Sequence, residues 1–118
     1  MNKIFLVGSI SSIKEYGVKF DVDYINFNLA VKKTRKLRIG ENNAYFFKCA
    51  AYSNTAKYLK EYGKVGRLLT ATGYLDVSTT NTSGEWVTNY QIIIEEINFL
   101  DKGRSSKEDE NKTLELLR

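Results

Sequence analysis

Histidine and proline are absent from the 118 residues, and cysteine occurs once, as Cys49. Without imidazole, the commonest general acid–base and the commonest metal ligand are missing. One thiol and no histidine leave no thiolate or imidazole zinc site within a single chain. No intramolecular disulfide can form, which suits a reducing cytoplasm, where we expect the protein to work. No apolar run approaches the roughly 20 residues that span a bilayer, so no membrane partner is expected. The opening MNKIFLVGSI has one lysine and a short apolar stretch. A signal peptide needs a longer apolar region and a small-residue cleavage site, so the opening reads as a strand. A glycine-rich phosphate loop of the NTPase type is also missing.

Apolar residues make up 42% of the chain, enough for one domain with its own core. Eight of the aromatic residues are tyrosines, whose flat body and polar tip suit half-exposed surfaces. The net charge of +4 is unevenly placed. Residues 101–118 hold five Lys/Arg and five Asp/Glu, whereas residues 1–100 hold thirteen against nine. A basic folded body points to a polyanionic partner.

Periodicity divides the chain into strands and one helix. Met1–Ser9 is apolar and β-branched. Val18–Val31 alternates as Phe20, Val22, Tyr24 and then as Ile25, Phe27, Leu29, Val31, and this change of parity predicts a bulge or a bent strand. Lys32–Asn43 is a polar loop, and Ala44–Tyr52 is a further strand. Ser53–Tyr62 places Ala56, Leu59 and Tyr62 at helical spacing, with Ser53 or Asn54 as N-cap and Gly63 as C-cap. Arg67–Thr80 reads as a strand bent at Gly73, with Asn81–Glu85 as a hairpin tip and Trp86–Leu100 as the return. Residues 101–118 form a polar tail, expected to be disordered. The expected fold is all-β: a five-stranded Greek-key barrel of the oligonucleotide-binding (OB) kind over residues 1–100, with one short helix between the third and fourth strands.

Three features carry chemistry. In the run Lys32, Lys33, Thr34, Arg35, Lys36, Leu37, Arg38, five of seven residues are cationic. Such a run is either a solvated loop or an arm that tracks phosphates. In Ala44–Tyr52, alternation sends Tyr45, Phe47, Cys49 and Ala51 to one face and Phe46, Lys48, Ala50 and Tyr52 to the other. If the first face is core, the second offers aromatic, cation, small residue and aromatic to solvent. That order suits base stacking with a phosphate contact, or burial against a partner subunit or the helix. Tyr74, Trp86 and Tyr90 lie on the hairpin strands, where an aromatic can stack on a base or clamp the hairpin. Catalysis is not expected. Glu95 and Glu96 are adjacent and face opposite ways. Asp21 and Asp23 share a strand face, where surface solvation is the commoner role. Cys49 falls on the core face as a small hydrophobe. Neither a cofactor nor a metal site is expected.

These segments, in this order, resemble the bacterial and phage-type single-stranded DNA-binding protein family. Met1–Gly8 resembles its first strand, Asn26–Val31 its second and Phe46–Tyr52 its third. Ala56–Lys64 is similar to its helix segment, and Thr72–Leu75 and Ile97–Leu100 to its last two strands. The resemblance implies stacking aromatics at Phe46 and Tyr52 and a basic DNA contact at Lys48. The aromatic that often follows the family's second strand is replaced here by the basic run around Arg35. The family's hairpin aromatic falls near Thr80, with Trp86 as a stand-in. The loop after the first strand reads Ser11–Tyr16 and lacks the usual proline. The short neutral tail ends Glu115, Leu116, Leu117, Arg118 in place of an acidic tip, which leans towards a phage-like or mobile-element homologue. The resemblance implies sequence-nonspecific binding of single-stranded DNA in replication, recombination and repair. It also implies a homotetramer, and replication or recombination proteins as further partners. The site set is then Phe46, Tyr52, Tyr74 and Trp86 for bases, and Lys32, Lys33, Arg35, Lys36, Arg38 and Lys48 for phosphates. The rival reading is a barrel whose aromatic face is buried in a protein partner.

Overall fold

Ala44–Tyr52 alternates and forms a strand; Ser53–Tyr62 carries apolar residues at helical spacing and forms a helix directly after it. The computed structural model describes residues 1–100; the expected tail, residues 101–118, lies outside the described residues. The chain forms five strands, β1 (Ile4–Lys19), β2 (Val22–Lys32), β3 (Ala44–Tyr52), β4 (Leu68–Thr82) and β5 (Glu85–Phe99), and one helix, α1 (Ser53–Tyr62). They close a barrel in the order β1-β2-β3-β5-β4, with β1 returning to β4. All pairings are antiparallel except β3 with β5. This is the expected OB-type barrel, with its helix between the third and fourth strands.

The interior is filled from every wall: Ile10 of β1, Ile25, Phe27 and Leu29 of β2, Cys49 and Ala51 of β3, Leu69 and Ala71 of β4, Ile92 and Ile94 of β5. Ala56 and Leu59 of α1 close one end of this core. Each fully buried large side chain contributes about 1.5–3 kcal/mol. Gly73 sits where the β4–β5 register shifts, and a Cβ there would lie 1.9 Å from the Ile93 carbonyl oxygen. The bend expected at this glycine is present, and no larger residue fits it.

The first hairpin differs from expectation. Ser11–Tyr16 belongs to a long β1 rather than to a loop, and the proposed strand Val18–Val31 is split by the turn Phe20-Asp21. Both turn residues have positive φ, 52° and 62°, as tight two-residue hairpins require. Without glycine or asparagine, the turn left no mark in the sequence. The register shifts lie in β1, near Ser11 and Lys14, and not in β2. In β2 the parity never changes: Val22 and Tyr24 lie outside, and Ile25, Phe27 and Leu29 lie inside.

The helix caps also differ. Tyr52 is the N-cap, with no side-chain hydrogen bond, because β3 runs into α1 without a linker. Gly63 does cap the C-terminus, donating to Leu59 O at 2.7 Å, but at φ −78°. Its need for glycine is the close approach of that carbonyl, 2.5 Å from a would-be Cβ. Of the residues at helical spacing, Ala56 and Leu59 are buried and Tyr62 is exposed. On β3, Tyr45 is exposed despite its inward parity, and Ala50 is fully buried despite its outward parity.

Candidate nucleic-acid interface

β2 and β3 pair without a register shift, so their outer side chains form rows: Ala30 beside Phe46, Asn28 beside Lys48, Asn26 beside Ala50, Tyr24 beside Tyr52. Phe46 is 59% exposed. Lys48 is exposed and has no ion pair among the described residues. Tyr52 is exposed at the far end of the strand, about 20 Å from Phe46 at ~3.3 Å per residue. The small Ala50 and the amides of Asn26 and Asn28 lie between, so the rings stand above a low floor.

A cleft opens where β3 and β5 part. Their pairing covers only Cys49–Ala51 against Ile92–Ile94. Before Cys49 the start of β3 diverges from the β4–β5 arm, leaving a cleft of about 370 Å³ lined by Phe46, Phe47, Lys48, Leu75, Tyr90 and neighbouring residues. Phe46 and Lys48 therefore share a site with Tyr90, which the sequence had placed on the hairpin without linking it to β3. Trp86, 72% exposed, lies on the same face of the arm as Tyr90, because Asn81 pairs with Trp86 and Val77 with Tyr90. It stands about 13 Å further out, at ~3.3 Å per residue. Tyr74 pairs with Ile93 and so lies on the opposite face of the hairpin, apart from Trp86 and Tyr90.

The basic loop is partly neutralised from within. Glu41 accepts from Lys33 Nζ at 3.2 Å, from Arg35 Nη1 at 2.9 Å and from the Arg38 backbone N–H at 2.9 Å. The Arg35 guanidinium, aided by that N–H, holds the Glu41 carboxyl well below its ordinary value of 4.5, at about 2. Lys33 Nζ also lies 5.0 Å from the Tyr45 ring centroid, and Tyr45 stacks at a tilt on Phe47. Lys32, Lys36 and Arg38 are exposed, and their side chains have no ion pair among the described residues. The five cations thus fall into two groups, a distinction signalled by Glu41 as the sole acid between Lys32 and Asn43.

Other clusters have structural roles. Tyr58 packs against Tyr62 and Phe99, and the Arg67 guanidinium lies 3.8 Å from the Phe99 centroid. Asp23 is held by Lys60 at 2.8 Å and Lys57 at 3.8 Å, and Asp21 sits in the turn. No acidic cluster among the described residues could hold a metal. Burial pushes the Cys49 thiol up to about 12, so it stays protonated and inert. No helix among the described residues is long and apolar enough to cross a membrane.

Exposed rings beside unpaired cations, on a sheet with a low polar floor, can stack bases and meet phosphates. Comparison with known proteins agrees. The Fusobacterium nucleatum single-stranded DNA-binding protein is 27% identical, the match covering 98% of this chain and 84% of that protein. Single-stranded DNA-binding protein 1 of Clostridium acetobutylicum is 31% identical over 86% of this chain and 94% of its own. In fold, the chain resembles Plasmodium falciparum SSB solved in complex with ssDNA (TM-score 0.73, 20% identity, 86% of this chain and 96% of that one). It also resembles a small single-stranded DNA-binding protein of Streptomyces coelicolor (TM-score 0.67, 24% identity, 89% and 100%). The sequence model of the single-strand binding protein family matches residues 1–100, and the chain belongs to that family.

Proposed function

We propose that this protein binds single-stranded DNA without regard to sequence and coats exposed strands during replication, recombination and repair. The observation that carries this reading is the exposed Phe46 ring beside the unpaired Lys48, with Tyr90 across the cleft. Bases stack on Phe46, Tyr90 and Tyr52, with Trp86 further along the arm. Phosphates meet Lys48, Lys32, Lys36 and Arg38, whereas Lys33 and Arg35 reach them only by leaving Glu41. Tyr74, facing the other way, plays at most a peripheral part. Residues 1–100 are the binding domain. The names of the bacterial relatives support the ligand.

The assembly belongs to the same proposal. Phe5 and Val7 are exposed on the outer face of β1, where their neighbours are Thr72 and Thr70 of β4. Apolar side chains there favour contact between copies, consistent with a homotetramer in the cytoplasm of a bacterium or of a phage-infected host. Replication or recombination proteins would be its further partners. Titration of the tryptophan fluorescence with oligo-dT and with duplex DNA tests the reading. We expect tighter binding to the single strand, weakening as salt rises. Equal or stronger binding to duplex would overturn it.

A further inference from the structure

The β1–β2 turn holds an aromatic that the interface described above does not use. Phe20 is 90% exposed, and it occupies a left-handed position at φ 52°. A bulky residue is disfavoured there, where asparagine, aspartate or glycine is the usual occupant. The ring gains no burial in return. Below it, on the outer face of the sheet, is a groove of about 410 Å³ lined by Phe20, Tyr24, Tyr52, Asn26, Lys19 and Glu15 among others.

Three aromatic rings meet at this groove, and two are set by the fold. Tyr24 and Tyr52 are direct cross-strand neighbours. The Tyr24 hydroxyl donates to Glu15 Oε1 at 2.8 Å, and its ring lies against Gly17, where a Cβ would touch it at 3.4 Å. The hairpin below is braced from the helix side: Lys60 of α1 donates to the Gly17 carbonyl and to Asp23 Oδ1. Lys19 has no ion pair among the described residues, so one flank of the groove is open to a phosphate. Glu15, further along the same strand, disfavours a phosphate inside the groove. The groove therefore suits a flat, neutral ring whose charged backbone passes outside, and Asn26 offers an amide to its edge. It is also continuous with the Phe46 face through Tyr52, about 20 Å along β3 at ~3.3 Å per residue.

We propose that this groove extends the interface beyond Tyr52 as a further base-binding subsite, in which one nucleobase of the bound strand is held by Phe20 and Tyr24 together with Tyr52 after the strand has crossed β3 from Phe46. The subsite rests on the single-stranded DNA reading. Its test is a ladder of oligo-dT lengths titrated against the wild type, Phe20→Asn, Phe20→Trp and Phe46→Ala, with melting curves for each. Asparagine accepts the left-handed turn, so Phe20→Asn removes the ring without endangering the hairpin. We expect Phe46→Ala to weaken binding at every length. The deficit of Phe20→Asn should appear only once the oligonucleotide can span both ends of β3, and should then reach roughly tenfold, the scale of one stacked base. Phe20→Trp should bind like wild type. If Phe20→Asn equals wild type at every length while Phe46→Ala is weakened, the groove does not take a base, although the general reading stands. A deficit of Phe20→Asn that is the same at all lengths also overturns the subsite. If the wild type binds no oligo-dT, both proposals fall.

Discussion

Phe27 and Phe46 are the same side chain on adjacent strands, yet Phe27 is 2% exposed and Phe46 59%. Phe27 lies among Ile25, Leu29, Cys49 and other residues of the closed interior. Phe46 lies outside, beside Lys48 and opposite Tyr90. Burial accounts for the first ring, because removing it from water is where its stabilisation comes from. The second ring gains little by folding, so its place is explained by what it can bind.

The sharpest way to break this contrast is to remove each ring. Phe27→Ala should cost about 3–5 kcal/mol of stability through lost burial and a cavity. Phe47→Ala should cost less, because Phe47 packs on the edge of the core and is only partly buried. Both are read from urea or thermal unfolding. Phe46→Ala should leave unfolding within about 0.5 kcal/mol of wild type. It should nevertheless weaken oligo-dT binding by about 1–3 kcal/mol, the range known for base–aromatic stacking in single-strand binders as a class. If Phe46→Ala unfolds the protein, the outer face is structural and the contrast collapses.

Charge offers a finer test. Glu41→Gln should release Lys33 and Arg35 to the DNA. If both then neutralise a phosphate, the slope of log K against log salt steepens by up to about 1.4, at ~0.7 per phosphate on a single strand. An unchanged slope would mean that these two cations lie off the DNA path. Acid should do the same to the loop. Glu41 has its carboxyl lowered in the folded state, so its contribution is complete above the ordinary value of 4.5 and is lost as pH falls through about 2. Chemical shifts of Lys33 and Arg35 in the folded protein should therefore move as pH falls through about 2, and not near neutrality. The smallest effect is expected for deletion of Gly103–Arg118. With no aromatic and a balanced charge, that segment should leave oligo-dT affinity nearly unchanged, and a tenfold loss would show that it takes part in binding.

The parts of this molecule that were legible in the sequence are those where a local pattern decides the structure. Ala44–Tyr52 and Ser53–Tyr62 have the expected bounds because alternation and helical spacing change at Ser53. Gly73 betrayed its bend because only glycine tolerates the Ile93 carbonyl so close. The turn Phe20-Asp21 was illegible because its first residue is a bulky aromatic, which seldom takes a left-handed position, and no glycine follows Asp21. Val22 and the half-buried Tyr24, both on the outer face, also imitated a core face. Tyr90 could not be joined to Phe46 from sequence, since their meeting depends on where β5 leaves β3. The pairing of Arg35 with Glu41 was open to inspection, because one acid in a basic loop has few other partners.

The return of β1 to β4 has a consequence for how the chain is made. Ile4 pairs with Gly73, and Ser9 with Leu68, so one edge of the first hairpin has no partner until some 60–70 more residues have left the ribosome. At about 5–20 residues per second, that edge waits for several seconds. Contacts so distant in sequence make ring closure slow and leave an open strand edge during the delay. Lys3, exposed at the head of that waiting edge, is the kind of charge that keeps nascent strands from pairing with one another before β4 arrives.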